Sequence, residues 1–79
     1  MIAEYIQGAL RKAHYELEEG TYFAEIGGFD GVLASGETLE ACREELIDVL
    51  EGWLIVGIRH GHVLPVVDEI DLNLVMQPV

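Results

Sequence analysis

Carboxylates, imidazoles, a single thiol and a glycine cluster are the residues of this chain whose types could do chemistry. The carboxylates come first. A two-metal nuclease needs several acidic side chains converging on a pair of ions. Glu16, Glu18 and Glu25 fall in segments with strand-like patterning, and Glu40 and Asp48 fall in a helical one. Glu16 and Glu18, however, alternate with Tyr15 and Leu17, so they share the face opposite the apolar one. That pattern is a solvated sheet face, and no strand aspartate joins it. His60-Gly61-His62 offers two imidazoles, but rings two positions apart at a helix end are expected to diverge, and no third ligand is near in sequence. The pair reads as a surface loop. His14 stands alone at a helix–strand junction. Cys42 lies on an apolar stripe beside acids, which do not lower a thiol pKa. With no base placed to activate it, it reads as a small core residue. Gly27-Gly28 and Gly31 lack the Gly-Lys-Ser/Thr ending of a phosphate loop, and read as a loop that needs positive φ angles. Catalytic, cofactor and metal sites are therefore expected to be none, and the chain reads as a non-enzyme.

The elements that must position these residues follow from spacing. Residues 2–13 read as a short amphipathic helix, with Ile2, Ile6, Ala9, Leu10 and Ala13 at steps of three and four. Arg11 and Lys12 favour its carboxyl end, and Gly8 weakens it. Residues 14–19 and 22–26 read as two strands of a hairpin turning at Glu19-Gly20. Residues 32–35 read as a third strand ending at Gly36. Thr38 is the N-cap expected for a long helix, with Glu37 and Glu40 at the positive end of its dipole. Leu39, Cys42, Leu46, Val49, Leu50, Trp53 and Leu54 form its apolar stripe. The helix is expected to run to about Arg59, with Gly61 as the left-handed terminating residue. Residues 63–67 contain Pro65 and read as an edge strand or an extended arm. Ile70, Leu72 and Leu74 alternate with Asp71 and Asn73, which predicts one further short strand. The whole, residues 1–79, reads as one two-layer α+β domain of order α-β-β-β-α-β.

Composition narrows the function. Fifteen acids face four bases (Arg11, Lys12, Arg43 and Arg59), a formal net charge of −11 over 79 residues. Nucleic acids are polyanions bound by clustered Lys and Arg. No direct nucleic-acid binding is expected, nor attraction to anionic lipid. A basic protein would be attracted; equally, the acidity could serve solubility alone. No apolar stretch approaches a membrane span. Glu4 and Gln7 interrupt any signal-peptide core. A cytoplasmic location is expected. Hydrophobic residues make up 51% of the chain, high for a domain with so little interior, and a homo-oligomer is expected. Trp53 serves either the core or an interface. Trp53, Leu54, Ile70, Leu72 and Leu74 are the candidates for self-association.

The segment Gly31-Val32-Leu33-Ala34-Ser35-Gly36-Glu37-Thr38-Leu39-Glu40-Ala41 resembles the HicB antitoxin family, in which a turn and a short strand lead through Gly-Asp/Glu-Thr/Ser-Leu-Glu into a long helix. The two acidic, aromatic-containing strands before it, and Trp53-Leu54 with the proline-containing segment after it, extend the similarity over about residues 14–67. The resemblance implies a truncated ribonuclease-H-like sheet with one long helix. It also implies a partner, a small basic HicA-type ribonuclease toxin with a double-stranded-RNA-binding-like fold and a catalytic histidine, blocked by occlusion. Glu16, Glu18, Glu25, Asp30 and Glu37 are the candidate partner-binding residues. Val32 stands where the family often has cysteine, the usual prolines before the glycine are missing, and the helix at 2–13 reads as an addition. Residues 68–79 read as a terminal strand or tail. Many family members continue into a DNA-binding domain; none is expected within residues 1–79, which puts operator binding and autoregulation in doubt. The alternative is a stand-alone homo-oligomeric structural or regulatory protein without a toxin.

Overall fold

The computed structural model describes residues 2–73. Its elements run α1 (Ile2–Arg11), β1 (Ala13–Glu18), β2 (Thr21–Ile26), β3 (Leu33–Gly36) and α2 (Leu39–Arg59). The three strands form an antiparallel sheet in the order β1-β2-β3. The register pairs Tyr15 with Ala24, and Ala24 with Ala34. Glu19 and Gly20, both at positive φ, close the β1–β2 hairpin.

Period two sorts the side chains into two layers. Tyr22, Ala24 and Ile26 point to the helix side, with Ala34 beside them. Phe23, Glu25, Leu33 and Ser35 point the other way and are exposed. Helix α2, about 32 Å long at 1.5 Å per residue, lies across the inner side. Its buried stripe is Cys42, Leu46, Leu50, Leu54 and Gly57. Burying a leucine such as Leu50 completely stabilises the fold by about 1.5–3 kcal/mol. Thr38 starts the helix as expected: its Oγ1 accepts from the Ala41 N–H at 3.0 Å. At the other end Gly61 adopts φ +67 and the His62 N–H donates to the Gly57 carbonyl at 2.8 Å.

Helix α1 closes one end of the core with Tyr5 and Ala9, both fully buried. The Tyr5 hydroxyl donates to the Pro65 carbonyl at 2.6 Å, and Arg11 reaches Asp68 at 2.7 Å. Gly8 has a packing reason: a Cβ there would stand 2.5 Å from an Asp68 carboxylate oxygen and 2.7 Å from Val67. Phe29, in the glycine-rich loop, plugs the core between Tyr5 (6.2 Å between ring centroids) and Trp53 (5.1 Å). Gly28 and Gly31 flank it at positive φ.

The chain after α2 departs from expectation. No fourth strand joins the sheet among the described residues. Val67 and Ile70 instead bond to each other across a tight turn in which Asp68 and Glu69 take positive φ. Leu72 and Asn73 are helical rather than extended. The cause is local side-chain chemistry that outcompetes a ladder. Asp71 Oδ1 accepts from the Asn73 N–H at 2.9 Å. The Asn73 amide accepts from the Leu64 N–H and donates to the Leu64 carbonyl, both at 2.8 Å. A single side chain thus occupies both backbone groups of Leu64. Leu74 and the rest of the expected terminal strand or tail lie outside the described residues.

Candidate functional site

Among the described residues one side of the sheet has no helix over it, and three of the sequence-derived acids gather there. Glu16 and Glu18 project from β1 and Glu25 from β2, all exposed. Between them stand two apolar side chains, Phe23 at 44% and Leu33 at 62% exposure. Phe23 lies beside Ser35 and opposite Glu16 in the register, and Glu25 pairs with His14 on one side and Leu33 on the other. A shallow hollow is lined by His14, Glu16, Phe23, Glu25 and Leu33. A second continues over Phe23, Leu33, Ser35 and Glu45. The His14 ring lies 3.1 Å from Glu16 Oε1, which orients that carboxylate.

Glu45, on α2, completes the rim. Its Oε2 accepts from the Ser35 N–H at 2.8 Å. Ser35 belongs to β3, an edge strand, and exposed edges invite pairing by other chains. The Glu45 carboxylate occupies one of those edge donors and adds a negative charge. None of Arg11, Lys12, Arg43 and Arg59 is among the residues lining these hollows. The result is an apolar centre ringed by carboxylates on a flat sheet. Such a surface suits a protein that brings an apolar group inside a basic rim.

The remaining candidates lie elsewhere. Asp30 sits in the Phe29 loop, where its carbonyl accepts from Trp53 Nε1 at 3.0 Å. Glu37 precedes α2 and is exposed. The open face therefore unites Glu16, Glu18 and Glu25, not Asp30. The self-association residues need a correction. Leu54 is 4% and Leu72 0% exposed. Trp53 and Ile70 pack against the same core. Their apolar surface is taken up within the chain, because α1 and residues 64–72 cover the end of the helix that periodicity alone leaves open.

Sequence reasoning passed over Phe23, Leu33 and Glu45. Strict alternation from Ala24 and Ile26 would have placed Phe23 outward with Glu25. Glu45 had no signal, since its role depends on how α2 lies along β3.

The other chemical candidates resolve simply. Cys42 is fully buried, and burial, then the Glu45 charge, pushes its thiol pKa up. His60 and His62 do not diverge as expected; their rings stack 5.7 Å apart at 25°, because the turn at Gly61 folds the chain back. No group of three or more potential metal ligands occurs among the described residues. No helix among them is long and apolar enough to cross a membrane.

Fold and face together define a small α+β module with an acidic sheet surface. The sequence profile of the UPF0150-like family matches residues 4–65, and the chain belongs to that family. The match takes in most of α1, which is therefore part of the family pattern and no addition. The UPF0150 protein ssl0259 of Synechocystis sp. is 45% identical over 51 residues, covering 65% of this chain and 70% of that protein. The crystal structure of TTHA0281 from Thermus thermophilus superposes with a TM-score of 0.80 at 32% identity, covering 89% of each chain. None of these relatives carries an enzyme name.

Proposed function

We propose that this protein is an antitoxin-type binding module that docks a small basic protein on the open face of its sheet. The observation that carries the reading is the Phe23–Leu33 apolar pair inside the ring of Glu16, Glu18, Glu25 and Glu45. The HicB resemblance supplies the class of partner, a HicA-type ribonuclease toxin. The mechanism is occlusion: the acidic face covers the basic RNA-binding surface and denies RNA access to the toxin's histidine. The carboxylates steer encounter, and the apolar pair holds the complex once water leaves.

The test is to mix the purified protein with the basic product of an adjacent reading frame. Size-exclusion chromatography with light scattering at low and high salt reads the result. The expected outcome is a complex that weakens as salt screens charges beyond a Debye length of about 8–10 Å. No complex even at low salt would refute the reading.

A further inference from the structure

We propose that the outer face of α2 pairs with the same face of a second copy of this chain, antiparallel about a two-fold axis at Ile55. Helix α2 buries one stripe against the sheet and exposes the opposite one. Asp48, Glu51, Gly52, Ile55, Ile58 and Arg59 lie on that opposite side at steps of three and four, and all are exposed. Ile55 is 57% exposed at its centre.

Two independent observations select a second copy as the occupant. The first is charge. Acids crowd the helix from Glu40 to Glu51, whereas residues 52–67 contain no carboxylate and one base, Arg59. A surface that is acidic at one end and basic at the other is complementary to itself reversed. A two-fold contact must be self-complementary in this way. Reversal about Ile55 sets Glu51 against Arg59 of the second copy and Gly52 against Ile58. Copies carrying −11 each need a contact where carboxylates thin out, and the carboxyl half of α2 is such a place.

The second observation is Gly52. A mid-helix glycine costs about 0.5–1 kcal/mol relative to alanine. Gly57 has a reason within the chain, since a Cβ there would stand 2.9 Å from Leu64. Gly52 has none: nothing lies within 4 Å of the position its Cβ would take. Facing an isoleucine of a second helix, it gives that side chain room and lets the helices approach closely.

The experiment is sedimentation equilibrium of the full chain over a concentration series, without any added partner. The expected mass is twice the 8.8 kDa of the chain. Ile55→Glu places two like charges on the axis and should yield a folded monomer, with an unchanged circular-dichroism spectrum and a melt that no longer depends on concentration. Glu51→Arg and Arg59→Glu should each raise the dimer Kd by roughly tenfold, because the axis counts each change twice. The double variant Glu51→Arg with Arg59→Glu should restore it. A wild-type monomer at every concentration would overturn the proposal. So would a dimer that survives Ile55→Glu, or a charge exchange that restores nothing. The Ile55→Glu monomer should still bind the basic partner, so this proposal and the antitoxin reading fail separately.

Discussion

Tyr5 carries a phenol into the interior and donates its proton to Pro65 across 60 positions of sequence. Burial, and then the Asp71 charge, push its pKa from 10.0 up to about 12. The sign follows from linkage. The raised folded value means the stability is fully present below pH 10, where both states keep the proton. It is lost as pH rises toward about 12, because the unfolded phenol ionises first. Thermal melts should therefore fall across that window, and Tyr5→Phe should flatten the fall while costing about 0.5–1.5 kcal/mol near neutrality. Phe23 is the opposite case, an aromatic ring held at the surface. Phe23→Ala should leave stability within about 1 kcal/mol of the wild type. In titration calorimetry it should weaken a basic partner by about 2 kcal/mol, as interface anchors do. Residue roles were legible where alternation decides them: Glu16 and Glu18 lie outward as their pattern says. Trp53 and Leu72 were not, because Trp53 packs on Phe29 and Leu72 joins a core that includes Tyr5 and Phe29, residues distant from them in sequence.

At the scale of elements, the passage from β3 into α2 sets the geometry of the site. A Cβ on Gly36 would stand 2.6 Å from the Cys42 nitrogen and 3.0 Å from the Ala41 carbonyl carbon. Both are helix backbone and cannot step aside. Gly36→Ala should therefore destabilise the protein by about 1–3 kcal/mol, read as a lowered denaturation midpoint. It should also shift Glu45 off the Ser35 amide. The bounds of α2 were readable, because Thr38 and Gly61 use backbone groups that any helix end exposes. The three strands were readable from period two. The fourth was not, because the alternation of Ile70, Asp71 and Leu72 fits a strand equally well. Asp71 and Asn73 decide the matter by bonding to the backbone, which hydropathy does not register.

At the scale of the molecule, charge is distributed so that two surfaces differ in character. The open sheet face gathers carboxylates around an apolar pair, and the far end of α2 is nearly free of them. The first suits a basic protein and should lose affinity with salt. The second suits a reversed copy of itself, with Ile55 at the centre and Glu51 facing Arg59. Net charge was legible from composition, which left a basic partner and solubility alone as equal readings. Which acids share a face required the sheet register, which joins Glu16 and Glu25 and does not include Asp30 in its loop. On the proposed reading the partner docks on the sheet. The most direct test is a nuclear magnetic resonance titration of the 15N-labelled protein with the basic product of the adjacent gene. Docking on the sheet predicts shift changes concentrated at His14, Glu16, Phe23, Glu25, Leu33 and Ser35. Changes confined to the outer face of α2, or none at all, would contradict it.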